Sequence, residues 1–130
     1  MEIHIKTIPD SMMRLPGGVG DYWYDHEGVL QVRVVEMEKE IYCKMVIIHE
    51  LIEEALTKER GLGEPDIQAF DDYYEQRRKM GLVPEDSEPG FDASAPYVRE
   101  HTASTAIEML MCAMAGVSWS EYEDKINSIT

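Results

Sequence analysis

The feature that most constrains the fold is a change of hydrophobic period near residue 38. Before it, apolar residues alternate with polar ones, which is typical of strands; after it they recur at spacings of three and four, which is typical of a helix. The helical stripe consists of Ile41, Met45, Ile48, Ile52, Ala55 and Leu56. Gly61 follows it and predicts the end of the helix. The chain therefore predicts an α+β fold in which a small N-terminal sheet precedes a long helix.

The β-rich region, residues 1–36, predicts about three strands. Residues 2–8 alternate, and residues 22–24 and 29–35 are rich in aromatic and β-branched side chains on either side of a turn. Residues 11–20, which include Pro16, predict a connecting loop. This spacing favours an antiparallel sheet. The residues expected on its core face are Leu30, Val32 and Val34, with Gln31 and Arg33 facing outwards.

The helical region, residues 38–130, predicts three or four helices. After the first helix, a second is expected over residues 66–80, and a third from about Pro96 to Ala115. Ser118 opens a capping box for a short last helix. Between the second and third helices, residues 83–95 are acidic and show no period, so we expect a long loop there.

Length and composition favour one domain, residues 1–130, in the cytoplasm. A chain of 130 residues is long enough to bury a single core. Its most apolar run, Met109–Val117, is too short to span a bilayer, and its first residues lack the order of a signal peptide. Cys43 and Cys112 lie among apolar neighbours, where reduced cysteines behave as small hydrophobic side chains.

The charge of the chain disfavours two classes of partner. Twenty-six acidic residues against 12 basic ones give a formal net charge of −14. This charge opposes nucleic-acid phosphates and anionic membranes alike. We therefore expect neither nucleic acid nor membrane as a partner, while an acidic surface that imitates DNA stays open as an alternative.

Ionisable residues interrupt the apolar stretches of the first and third helices. His49 and Glu53 are one turn apart and share a face, with Glu50 beside them. In the third helix His101 and Glu108 are seven residues apart and share a face too. If the two faces meet, these side chains form one cluster.

The four residues His49, Glu53, His101 and Glu108 are candidate metal ligands. Neutral imidazole and carboxylate suit a divalent metal; this set favours zinc, with manganese and iron as alternatives. The same side chains could instead satisfy one another as a buried structural cluster without an ion. Exposure of these residues is the third possibility. His4 and His26 lie in a strand and a turn and are expected at the surface.

The segment His49-Glu50-Leu51-Ile52-Glu53 resembles the HExxH helix of zincin metallohydrolases. The small sheet before it and a later helix with a third ligand also resemble minimal zincins. The resemblance implies that His49, Glu53 and His101 are ligands and that Glu50 is the general base that activates water. This chain departs from the family at Glu53, where zincins have a second histidine, and the additional carboxylate favours metal binding more than hydrolysis.

Most of the chain also resembles small phage and prophage proteins. The matching pieces are Val46–Glu53, Ala95–His101 and Trp119–Tyr122. The resemblance implies a phage origin and no particular activity. One hypothesis is a metal-binding phage protein that acts as a metal-dependent hydrolase. The alternative is a non-enzymatic accessory protein whose acidic surface binds a host protein.

A third hypothesis rests on the acidic residues alone. Glu50, Glu53, Glu54, Asp71 and Asp72 loosely resemble the paired acidic helices of all-α nucleotide pyrophosphohydrolases, which hold magnesium through carboxylates. That fold lacks an N-terminal sheet and does not require the two histidines, so the sequence favours it less. Acids such as Asp71 at an early helical turn are expected to be solvated.

Overall fold

The computed structural model describes residues 1–15 and 17–129, so Pro16, within the predicted loop, lies outside the described residues. These described residues form a three-stranded sheet followed by four helices. The strands are β1 (Ile3–Ile8), β2 (Gly20–Tyr24) and β3 (Leu30–Val35). The helices are α1 (Glu40–Glu59), α2 (Glu64–Lys79), α3 (Val98–Ala115) and α4 (Trp119–Ile129), with short 3₁₀ turns at Asp10–Met12 and Pro89–Phe91. The predicted α+β layout is confirmed.

The sheet is mixed rather than purely antiparallel. Its strand order is β1-β3-β2, and β2 and β3 form the antiparallel hairpin that the sequence predicts. β1 pairs with β3 in parallel, with Ile3 opposite Leu30. The reason is topological: β2 takes the far edge, so the returning β3 lies between the other two strands and runs in the direction of β1. The expectation of an antiparallel sheet is therefore wrong for β1.

The core lies between the sheet and α1. Leu30, Val32 and Val34 are buried as predicted, and Met45 of α1 is fully buried against them. Gln31 departs from expectation, because it is buried on the outer face and its amide donates to Asp25 Oδ2 at 3.1 Å. One side of α1 therefore packs against the sheet, and another side faces α3.

The last helix closes the end of the core. Ser118 accepts a hydrogen bond from the Glu121 amide at 3.3 Å, as the capping box predicts. Tyr122 is 2% exposed, and Trp119 and Ile126 pack beside it. In α2 only Tyr74 is buried, and the Phe70 ring packs against the rings of Tyr74 and Tyr97. Within residues 1–15 and 17–129, no helix has the length and apolar character that crossing a membrane requires.

Candidate metal centre

The cluster lies where α1 and α3 pack against each other. His49 lies in the middle of α1, and His101 lies in the first turns of α3. Between them Ser104 is fully buried, and its hydroxyl donates to the His49 carbonyl at 3.1 Å. A small side chain at this position lets the two helix backbones approach, and its hydroxyl is satisfied by that contact. The polar faces predicted for these two helices therefore meet.

Three of the predicted ligands converge on one point. Glu53 Oε2 lies 3.2 Å from His49 Nε2 and 3.1 Å from His101 Nδ1. One ligand atom from each residue lies within 4.8 Å of the others, a spacing that can hold a metal ion. The three side chains are only 10–12% exposed. Two nitrogens and a carboxylate oxygen in a nearly dry setting are a donor set that zinc, manganese or iron accepts.

The two remaining imidazole nitrogens each contact a further carboxylate. His49 Nδ1 contacts Glu108 Oε1, and His101 Nε2 lies 3.1 Å from Glu88 Oε2. Tyr122 donates its hydroxyl proton to the other oxygen of Glu108. Histidines that bind metal almost always donate their second ring N–H to such a carboxylate or carbonyl, which fixes the tautomer and the ring plane. Glu108, predicted as a ligand, therefore lies behind His49 and outside the group of three.

The carboxylates strongly favour protonated histidines in the absence of an ion. Burial lowers the pKa of His49, but hydrogen bonds to Glu108 and Glu53 outweigh it and raise that pKa to about 11. For His101 burial is likewise outweighed by hydrogen bonds to Glu53 and Glu88, and its pKa rises to about 9. Each ring is therefore a doubly donating imidazolium at neutral pH unless a metal replaces the proton on the inner nitrogen.

The pKa values of Glu50 and Glu53 shift in opposite directions. Burial disfavours both charges, but the two imidazoles stabilise the Glu53 carboxylate and lower its pKa. Glu50 lacks such contacts, so burial and the neighbouring Glu53 charge raise its pKa to about 8. Among the described residues its carboxyl group has no hydrogen-bond partner. It lies against Gly20, where an added Cβ would come within 2.5 Å of Glu50 Oε1. Glycine at the start of β2 therefore makes room for Glu50.

The acidic loop, residues 83–95, covers His101. Glu88 supplies the carboxylate on Nε2, the Phe91 ring packs edge-on against the imidazole with centroids 4.6 Å apart, and Gly90 lies against the ring. A Cβ at Gly90 would overlap the imidazole atoms. Sequence reasoning missed these residues because the loop has no period. An acid next to a Pro-Gly pair in a long loop was the only available signal.

Of the remaining candidates, two histidines lie at the surface and one aspartate is half-buried. His26 has a side chain that is 90% exposed and His4 one that is 50% exposed, as predicted. Asp71 contradicts the expectation of a solvated acid. It accepts a hydrogen bond from the Tyr97 hydroxyl, and burial together with nearby acids, Glu53 among them, raises its pKa to about 6.

Comparisons with protein-family models, with curated proteins and with solved structures gave no significant match. The chemistry of the cluster must therefore be judged from its geometry.

Proposed function

We propose that the protein binds a divalent metal ion, with zinc preferred, through His49 Nε2, His101 Nδ1 and the Glu53 carboxylate. One observation carries this proposal. The two inner nitrogens face a single carboxylate oxygen, while each outer nitrogen contacts its own carboxylate, Glu108 or Glu88. Metal-binding histidines usually have this arrangement, with the metal on one ring nitrogen and a hydrogen-bond acceptor on the other. Three protein ligands also match the number found in catalytic zinc sites, which leave one position open.

A metal-dependent hydrolase is the activity that this site supports best. A divalent ion held here would supply Lewis-acid activation of water and of a substrate carbonyl or phosphoryl oxygen. Glu50, next to His49 in α1, is the residue that we assign as general base. Its carboxyl group is free of hydrogen-bond partners among the described residues and is accommodated by Gly20. The proposal agrees with the resemblance of residues 49–53 to zincins and of the chain to phage proteins acting in a host cytoplasm.

The rival function is that of a non-enzymatic acidic phage protein that binds a host protein. One observation favours it: in the described part of the chain, every side-chain nitrogen and oxygen that solvent cannot reach has a hydrogen-bond partner without an ion. Two imidazolium rings between Glu108, Glu53 and Glu88 would hold the helices together by protons alone. The two functions therefore differ in whether a metal ion or only protons lie between His49 Nε2, His101 Nδ1 and the Glu53 carboxylate.

Metal analysis of protein purified without a histidine tag distinguishes the two functions. We expect about one zinc per chain in the wild type and none in His49→Ala or His101→Ala. His26→Ala, which removes an exposed histidine far from α1 in sequence, is the matched control and should keep the metal. A wild type without metal, and without zinc binding by calorimetry, would sink the proposal. If the cluster is purely structural, the two variants lower the melting temperature although wild-type protein holds no metal.

The hydrolase assignment needs a separate test. Zinc-loaded protein is assayed against a fluorogenic casein, p-nitrophenyl acetate and bis-p-nitrophenyl phosphate. We expect turnover of at least one probe and a loss of at least 100-fold in Glu50→Gln, which keeps its zinc. No turnover of any probe, or equal rates in wild type and Glu50→Gln, would show that Glu50 is not a general base there.

A further inference from the structure

The α3 helix presents apolar side chains to solvent and polar ones to the protein interior. Its polar residues, His101, Ser104 and Glu108, face the protein interior, where Ser104 and Glu108 are buried. Its outward side is apolar: Leu110 is 61% exposed and Met114 is 82% exposed. From Thr102 to Val117 the only charged residue is the buried Glu108. An exposed face of this kind, with Arg99 at its N-terminal end and no charged residue beyond it, is typical of an interaction surface on a chain of net charge −14.

The two halves of this face differ in relief. The N-terminal half carries small side chains, which leave a shallow groove lined by Val98, Arg99, Thr102, Ala103 and Ala106. The C-terminal half carries the exposed side chains of Met109, Leu110 and Met114, which form a ridge. At 100° per residue, the groove and the ridge lie on the same side of α3.

We propose that this face binds a second copy of the same chain, with the two α3 helices antiparallel about a two-fold axis. Reversing one helix places its ridge over the groove of the other. Ala103 then lies opposite Met114 of the second copy, and Ala106 lies opposite its Leu110. A two-fold contact repeats this match twice, as isologous interfaces require. A parallel pair would instead place ridge on ridge and groove on groove.

The size and charge of the face agree with a weak dimer. An 18-residue helix is about 27 Å long, and two such faces would bury on the order of 1,000 Å² in total, near the lower limit for specific interfaces. The groove includes one charged side chain, Arg99, at its N-terminal end, and two chains of net charge −14 repel each other. Salt screens that repulsion, so the dimer strengthens as salt rises. The same net charge disfavours an anionic membrane as the occupant.

Sedimentation equilibrium of the full chain tests the proposal. We expect a monomer–dimer equilibrium with a dissociation constant in roughly the micromolar range that decreases between 0.1 and 0.5 M NaCl. Leu110→Glu should weaken the dimer at least tenfold, whereas the control Leu82→Glu, at a residue that is 59% exposed outside α3, should not. Melting curves verify that both variants fold. A wild type that is monomeric at 0.5 mM in both salts, or equal weakening by both variants, would overturn the proposal.

Thiol crosslinking tests the direction of the two helices. Cys43 and Cys112 are both buried, so introduced cysteines at the surface are the reactive ones. A mixture of Ala103→Cys and Met114→Cys chains should form a heterodimer with a short bis-maleimide. Either variant alone should crosslink at least tenfold less, because its two cysteines lie roughly 16 Å apart along an antiparallel pair. Efficient crosslinking of each variant with itself, and none in the mixture, would contradict the antiparallel dimer.

Discussion

Glu88 determines which nitrogen of His101 is presented to Glu53. Its carboxylate accepts the Nε2 proton at 3.1 Å, which leaves Nδ1 as the inner atom. Glu88→Gln keeps an acceptor but removes the charge, so we expect zinc affinity to fall about 10–100-fold. Glu85→Gln, an exposed position in the same loop, should leave it unchanged. Calorimetric titration measures both, and equal affinities for the two variants would show that Glu88 plays no part in orienting His101.

The protons on His49 and His101 should make zinc affinity depend on pH. The carboxylates raise the pKa of His101 to about 9 and that of His49 to about 11, so both rings carry an additional proton at neutral pH. Zinc must displace both protons, and affinity should therefore rise with pH by up to about 100-fold per unit between pH 6 and 8. Above pH 9 the dependence should become shallower. A competition titration with a zinc dye measures it, and affinity that is flat over this range contradicts the ligand assignment.

At the residue scale, the sequence was informative where a helical period exists. His49 and Glu53 share a face by their spacing, and so do His101 and Glu108, so the cluster followed from two predicted helices. The spacing could not show that Glu108 lies behind His49. It gives the direction of a side chain around the helix axis but not its distance from the residues of the other helix. Glu88 was not predicted, because an acid beside a Pro-Gly pair does not reveal that its loop contacts His101.

At the scale of elements, the loop 83–95 is part of the site because Gly90 lies directly against the His101 ring. Gly90→Ala would place a Cβ inside contact distance of the imidazole, so the loop must move or the ring must turn. We expect a loss of about 1–3 kcal/mol in the free energy of unfolding, together with weaker zinc binding. Urea denaturation measures the first and calorimetry the second.

The control for Gly90→Ala is Gly18→Ala. There the added Cβ would have its nearest neighbours at an ordinary 3.6 Å. If both substitutions have the same effect, the result reflects a general sensitivity of glycines and not the packing of the loop on His101.

The contact between Asp71 of α2 and Tyr97, the residue before α3, makes stability depend on pH. Burial raises the pKa of this carboxyl group to about 6, so the folded state holds the proton more tightly than the unfolded chain does. This contribution is complete below about pH 4 and is lost as pH rises through 6. Asp71→Asn keeps an acceptor for the Tyr97 hydroxyl and cannot ionise. We expect the variant to be more stable by about 1–2 kcal/mol at pH 8, with no difference at pH 4.

Urea denaturation in the presence of a chelator measures the effect of Asp71→Asn without interference from metal. Asp72→Asn, at the exposed neighbour, serves as the control and should show no such pH dependence. A stabilisation of Asp71→Asn that is equal at pH 4 and pH 8 would mean that burial of the Asp71 charge is not its cause.

The pairing of β1 shows what local patterns leave open at this scale. Alternation in residues 2–8 predicts a strand, but the same alternation serves a parallel or an antiparallel neighbour. The β2–β3 hairpin is local and was predictable from its turn. The position of β1 depends on which edge β2 occupies, and the local alternation does not specify that edge.

At the scale of the whole molecule, the net charge and the proposed metal site would act on stability together. A chain of net charge −14 repels itself, and any added cation relieves part of that repulsion by screening. A specific ion adds a further term, because a ligand that binds only the folded state stabilises it by about 2.7 kcal/mol at 100 times its dissociation constant. For a chain of this length that corresponds to a rise in melting temperature of roughly 10 °C.

Differential scanning calorimetry separates the specific effect of zinc from screening. We expect zinc to raise the melting temperature of the wild type by roughly 10 °C. Magnesium at the same concentration should raise it only slightly. In the double variant His49→Ala/His101→Ala the two ions should act alike, because the acidic surface remains while two of the three ligands are gone. A zinc-specific rise that survives in the double variant would place the ion elsewhere on the molecule. A wild type that responds equally to zinc and magnesium would mean that its three inner atoms are joined by protons alone.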